Sequence, residues 1–175
     1  MIRTARLVLR PATLADVPAM HAVFSNGLAM RHWSTVPHTA LAETEAWVTS
    51  MIEAERAGTS TDDCIVELDG KVIGKAGFWK EPELGFILHP DHHRRGLATE
   101  ALTALLDRAF SVRLMARVVA DVDPENHACL ALLQRLGFRE FNRAPRTFCR
   151  GGVWSDSVFL ELASSRWARV ASRVR

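Results

Sequence analysis

The chain reads as one mixed α/β domain. Two amphipathic helical patterns come early, before any clear strand pair. The second half then alternates strands and helices, with one strand-turn-helix and one strand-helix-strand unit. Between them, Asp69-Gly70 separates two β-rich apolar runs, and that dipeptide supplies the two positive-φ positions of a tight hairpin.

The elements follow in order. Ala5–Arg10 alternates apolar and basic residues, which predicts a strand ended by Pro11. Thr13-Leu-Ala-Asp16 is a capping-box variant opening a helix that carries Val17, Met20 and Phe24 on one face. Leu41–Ala57 predicts a second helix, with Gly58 as its stop. Cys64–Leu68 and Lys71–Trp79 are the arms of the hairpin, and Glu83–Leu88 is a further strand. Ala98–Ser111 keeps the helical spacing through Ala98, Ala101, Leu102, Leu105 and Ala109. Ala116–Val122 reads as a strand, and Asn126–Leu136 as a helix ended by Gly137. Phe138–Phe141 and Val153–Leu162 complete the strands. A domain is expected over 1–163. Residues 164–175 form a basic tail with Arg166, Arg169, Arg173 and Arg175, for which a helix is one reading because Trp167, Val170 and Val174 share a helical face.

Composition narrows the function. The 175 residues are 48% hydrophobic and 24% charged, the balance of a globular domain with a sizeable core. A net charge of +2 argues against nucleic acid as a partner. Three widely spaced cysteines with no CxxC pair point to a reducing compartment. With no apolar signal segment at MIRTARLVLR, the expected location is cytoplasmic, without a membrane partner. The histidines of His89-Pro-Asp-His92-His93 are poorly spaced for a shared ion, so no metal site is expected.

The stretch after Leu88 carries the functional signal. His93-Arg-Arg-Gly-Leu-Ala98 runs directly into a helix, whose start offers free N–H groups and the positive end of the macrodipole. That is a site for phosphate or pyrophosphate. Gly96 allows close backbone approach, Arg94 and Arg95 add charge, and Ala98 leaves room. The pattern is neither a Walker loop nor a GxGxxG turn.

That turn, its strand, and the later Asn126-His-Ala-Cys-Leu-Ala-Leu-Leu-Gln-Arg-Leu-Gly-Phe138 resemble the GCN5-related N-acetyltransferase (GNAT) superfamily. More narrowly they are similar to its ribosomal-protein N-terminal alanine acetyltransferase branch (RimJ/RimL type). TARLVLRPATLADVPAM, the Met30–Trp47 region and Gly151–Leu162 look like that branch's first strand and helix, its second helix and its closing strand. The resemblance implies a strongly twisted mixed sheet with helices on both faces. It also implies a parallel strand pair, here Glu83–Leu88 and Ala116–Val122, splaying apart around acetyl-CoA. Phe86, Ile87 and Leu88 would meet the pantetheine and acetyl carbonyl. The N–H groups of His93, Arg94, Arg95, Gly96, Leu97 and Ala98 would hold the pyrophosphate, and Asn126 falls at the family's CoA-side asparagine. The chain departs from the family at His93, where Gln or Arg is usual. It departs again at Leu133, where a tyrosine often serves as general acid, and it contains no tyrosine. In this branch a serine is the alternative acid; here that position is Cys129.

Direct attack of an amine on a thioester needs a base, a polarised carbonyl and a protonated or stabilised leaving thiolate. Glu83 is the expected base and Cys129 the expected acid. A backbone N–H near Leu88 is the expected oxyanion donor. Asp156, His89, His92 and His93 are weaker acid/base candidates. Trp33, Trp47, Phe78 and Trp79 are open between core packing and an acceptor pocket. The branch resemblance points to a protein N-terminal amine as acceptor. A small amine, amino acid or antibiotic, or a non-catalytic acyl-CoA sensor, are the alternatives, in a monomer or homodimer.

Overall fold

The computed structural model describes residues 1–59 and 61–174, without the side chains of Thr61, Arg173 and Val174. An eight-stranded sheet runs in the order β1-β2-β3-β4-β5-β6-β8-β7. The strands are β1 Ile2–Arg3, β2 Leu7–Arg10, β3 Thr61–Leu68, β4 Lys71–Lys80, β5 Glu83–Leu88, β6 Arg117–Val122, β7 Arg139–Arg150 and β8 Val153–Ala163. The helices are α1 Val17–Phe24, α2 Leu41–Arg56, α3 Leu97–Ser111, α4 His127–Arg135 and α5 Ser164–Val174. This is the mixed α/β fold that the sequence predicts.

Two apolar layers cover the sheet. On one face α3, α4 and α5 pack on Leu7, Leu9, Val66, Phe78, Leu84 and Leu88. On the other, α1 and α2 pack on Ile65 and Ile87 through Met20, Phe24, Val48 and Met51. Thr13 opens the first helical turn as expected, donating its N–H to Asp16 Oδ2 at 2.7 Å. Burial works against ionisation of Asp16, but the Arg10 guanidinium and Thr13 hold its carboxyl below the usual range. The Asp69-Gly70 turn has both residues at positive φ, 51° and 75°.

One segment differs from the sequence expectation, and the basic tail takes the helical form that the sequence leaves open. β7 runs twelve residues to Arg150, well past Phe141, and turns into β8 through Gly151-Gly152, φ 53° and 87°. It is an edge strand with most positions exposed, so no alternation of apolar and polar residues marks it. The segment from Ser164 is the helix α5. Trp167 and Ala171 are buried in the core, and Trp167 Nε1 donates to Asp107 Oδ1 at 3.0 Å. Arg166 Nε donates to the Gly137 carbonyl at 2.5 Å. Arg175 and the side chains of Arg173 and Val174, part of the basic tail pattern, lie outside the described residues. No helix among the described residues is long and apolar enough to cross a membrane.

Candidate active site

The site starts from one irregularity in the sheet. β5 and β6 are its only parallel pair among the described residues, and they meet at a single register point, Glu83 opposite Val119. Val119 N–H donates to the Pro82 carbonyl at 3.0 Å, and beyond that the strands diverge. The gap opens a cleft on each side of β5.

β5 spends its backbone unevenly. His89 N–H bonds the Ile73 carbonyl at 2.8 Å, so in the antiparallel alternation Ile87 and Gly85 face β4. The Ile87 carbonyl indeed lies where a Cβ on Gly74 would meet it. Phe86 and Leu88 therefore turn their backbone groups toward the gap. This sharpens the expectation for Phe86, Ile87 and Leu88: Ile87 contributes its side chain, 5% exposed, while its backbone is committed to the sheet.

One cleft, about 360 Å³, lies between β5, the start of α3 and α4. Its wall includes Phe86, Leu88, His93, Arg94, Gly96, Leu97, Ala98 and Asn126. Gly96 caps α3 with φ 76°, a left-handed conformation that favours glycine. Glu100 N–H makes the first i→i−4 bond, to the Gly96 carbonyl at 3.0 Å. The N–H groups of Leu97, Ala98 and Thr99 are thus left for an anion. The turn is braced from below: Arg6 Nη1 donates to the Arg95 carbonyl at 3.0 Å and Arg6 Nε to Glu100 at 2.7 Å.

His93 has a different role from the one expected. Its N–H bonds the Pro90 carbonyl at 3.0 Å, and its ring Nε2 lies 2.9 Å from the Leu88 carbonyl. It shapes the turn and ties it to β5, and its own N–H is not free for phosphate. Arg95 is not among the cleft-lining residues, whereas Arg94 is. Asn126 Oδ1 caps α4 by accepting from Cys129 N–H at 3.1 Å, which leaves both donors of its NH₂ end for a ligand. Cys129 faces the same cleft among apolar side chains, and burial pushes its thiol up to about 12. It is therefore protonated at neutral pH and reluctant to give that proton up. Leu133 is fully buried.

The second cleft, about 690 Å³, lies on the α1/α2 side of β5. Glu83, Asp63, Asp121 and Asp123 reach it, with Lys75 as its lysine. Desolvation, with Asp121 also contributing, raises the Glu83 carboxyl above its usual range, against a hydrogen bond from Trp79. Desolvation likewise raises Asp121, opposed by Ser157. Trp33, Trp47 and Trp79 line this cleft; Phe78 is buried on the opposite face of the sheet. Asp156, by contrast, is exposed and accepts from Arg146 N–H at 2.9 Å, outside both clefts.

His32 and Trp33 line both clefts and form the divider between them. Sequence reasoning missed what holds the divider. Asp123 Oδ2 lies 3.1 Å from His32 Nδ1 and accepts from Arg150 Nη2 at 2.9 Å. Asp123 Oδ1 accepts from Glu125 N–H at 2.9 Å. Burial disfavours the Asp123 charge, yet these partners keep its carboxyl below the usual range. Arg150 also bonds the Arg31 carbonyl. The pieces come from the Ala29–His32 turn, the end of β6 and the end of β7, so no local pattern announces them. No group of three His, Cys, Asp or Glu side chains suited to a metal ion occurs among the described residues.

Comparison with known proteins agrees with this geometry. Residues 6–139 match a family model described as an acetyltransferase (GNAT) domain. The chain is 24% identical to the spermidine N(1)-acetyltransferase of Escherichia coli (strain K12) over 156 residues, 86% of this chain and 82% of that one. It is 28% identical to the L-methionine sulfoximine/L-methionine sulfone acetyltransferase of Pseudomonas paraeruginosa over 166 residues, 88% and 92%. Its fold superposes on Mycobacterium smegmatis RimJ, solved in complex with CoA-disulfide, at a TM-score of 0.80 and 23% identity, covering 96% of this chain and 87% of that one.

Proposed function

The chain belongs to the GNAT acetyltransferase family, and from that premise we propose that it moves the acetyl group of acetyl-CoA to a primary amine held in the acidic cleft. The observation that carries this is the pair of clefts meeting at β5: an anion-binding helix start on one side, desolvated carboxylates and tryptophans on the other.

In this reading the pyrophosphate of acetyl-CoA lies on the N–H groups of Leu97, Ala98 and Thr99, with Arg94 beside it and Gly96 clear of it. The pantetheine follows the gap-facing backbone of Phe86 and Leu88, past the NH₂ end of Asn126. Leu88 N–H faces the carbonyl oxygen and stabilises the charge that grows there. Glu83 takes the proton from the incoming ammonium, directly or through water, and burial, which raises its carboxyl above the usual range, makes it a stronger base than an exposed carboxylate. The amine nitrogen then bonds to the acetyl carbon, the carbon–sulfur bond breaks with its electron pair leaving on the CoA thiolate, and the surplus N–H proton of the new amide passes to that thiolate or to water. Cys129, held protonated, hydrogen-bonds that thiolate more readily than it transfers a full proton to it.

A second reading of the base rests on the divider. Asp123 holds His32 through Nδ1, which points Nε2 of a ring shared by both clefts away from that contact. Replacing each base candidate separately decides between them. With Glu83 as base, E83Q lowers kcat/KM by roughly 10²- to 10⁴-fold while H32Q lowers it far less; the reverse order assigns the base to His32. Incubation with acetyl-CoA and a panel of amines, read as free thiol, tests the transfer itself. Absence of both thiol release and acetyl-CoA binding contradicts it.

The acceptor side favours a small basic amine. Four carboxylates line the cleft against one lysine, and aromatic faces attract a cation. The α-amine of a protein N-terminus satisfies the same chemistry at the reacting end.

A further inference from the structure

Asp63 belongs to the acceptor cleft, yet the acetyl-transfer reaction has no use for it. It sits on β3, and its side chain is 7% exposed. Oδ2 pairs with Lys75 Nζ at 2.8 Å. Oδ1 is buried and has no hydrogen-bond partner. A buried carboxylate oxygen left unpaired is costly, and such an atom on a cleft wall points to a donor supplied by a ligand.

Its position across the sheet makes the inference specific. A Cβ on Gly77 would meet Asp63 Cα at 2.5 Å, so Asp63 on β3 lies directly against Gly77 on β4. Gly77 pairs with Gly85 on β5. Glu83 pairs with Val119, so Asp121 lies two residues further along β6, level with Gly85. The row Asp63–Gly77–Gly85–Asp121 therefore crosses four strands. Its middle is glycine, and its two ends are carboxylates. Three strand positions separate the ends, and because β5 and β6 have already diverged at this level their backbones lie more than about 14 Å apart. A Cβ on Gly85 would come within 3.9 Å of Trp79 and 4.0 Å of Trp33, so the tryptophans stand over the glycine floor.

We propose that this row is an elongated subsite for a linear aliphatic diamine or polyamine, with the reacting amine at Glu83 and Asp121 and a second ammonium on Asp63 Oδ1. The methylene chain lies over Gly77 and Gly85, beneath Trp33 and Trp79. Lys75 faces the same end and its ammonium offsets the Asp63 charge through Oδ2, so what Asp63 offers the second ammonium is the unfilled acceptor Oδ1. Asp123 faces the divider and is matched by Arg150 and sits beside His32. Among the described residues no cationic side chain lies at salt-bridge distance from Glu83 or Asp121, and both carboxyl groups are raised above their usual range, chiefly by desolvation. The field of the cleft therefore favours a ligand carrying more than one positive charge.

The proposal rests on the acetyl-transfer reading for which end of the ligand reacts, whereas occupation of Asp63 does not require turnover. Equilibrium binding and thiol release are measured with a series of α,ω-diamines of increasing length and with the monoamines of equal length. The wild-type protein is expected to bind, and acetylate, the longer diamines at least about tenfold better than their monoamines. In D63N the diamine-to-monoamine ratio falls toward one. Thermal unfolding of D63N establishes that it is folded. If it is not, the wild-type length series carries the test alone. Equal affinity for diamines and monoamines at every length overturns the subsite. Preferential diamine binding without thiol release upholds the subsite and overturns the transfer reading instead.

Discussion

The proposed cofactor side of β5 is made of backbone, and the proposed acceptor side is made of side chains. On the first, Gly96 and the opening turn of α3 present N–H groups within one stretch of chain. On the second, Asp63, Glu83, Asp121 and Trp33 arrive from β3, β5, β6 and the segment before α2. A backbone site tolerates changes of side chain, because the donors stay in place. That is why His93, in place of the usual Gln or Arg, leaves the turn intact while serving Leu88 and Pro90. A side-chain site changes its ligand with each substitution. The cofactor half is therefore expected to be generic, and the acceptor half particular to this chain.

The largest expected effect separates the two halves by function. E83Q should lower kcat/KM by roughly 10²- to 10⁴-fold, with acetyl-CoA affinity measured by calorimetry unchanged. A parallel loss of acetyl-CoA affinity would mean that the halves are not independent. Next comes the backbone half. A Cβ at Gly96 would have its nearest neighbour at 3.6 Å, an ordinary contact, so the penalty of G96A lies in φ alone. About 1–2 kcal/mol of left-handed strain should weaken acetyl-CoA binding by about tenfold without altering the ranking of acceptor amines.

These two substitutions also mark what the sequence reveals and what it hides. The His93–Ala98 turn is legible because its chemistry is contiguous: strand, glycine, helix start. Glu83–Leu88 is legible because a half-buried strand between turn signals keeps its pattern, and its observed bounds match those expected. β7 is not, because an exposed edge strand has no buried face to impose a period, and Pro145 interrupts it where its register shifts against β8. The Asp123–His32–Arg150 cluster joins residues 91 and 27 positions apart, a juxtaposition that only the folded sheet creates. Asp63 looks like a solvated acid in sequence. Its significance appears only with Gly77 beside it.

A smaller effect concerns pH. With Glu83 as the proposed base, transfer needs its carboxylate ionised, so kcat/KM should rise with pH through a limb above the ordinary glutamate range. Desolvation is the main cause of the raised carboxyl and Asp121 a lesser one, so D121N should move that limb to lower pH without abolishing it. A limb that stays in place would remove Asp121 from the environment of the base. The smallest effect belongs to Cys129. As a hydrogen-bond donor to the thiolate rather than an obligatory acid, its replacement in C129A should lower kcat by less than about tenfold, with C129S closer to wild type. A loss of 10³-fold or more would make it the general acid after all.

The most direct test is a crystal structure with acetyl-CoA bound. The account predicts the pyrophosphate on the N–H groups of Leu97, Ala98 and Thr99, the pantetheine in the gap between β5 and β6, and the acetyl carbonyl facing Leu88 N–H with the carboxylate-lined cleft open beyond it. A cofactor lying outside that gap, or an acetyl group turned away from Glu83 and His32, would contradict it.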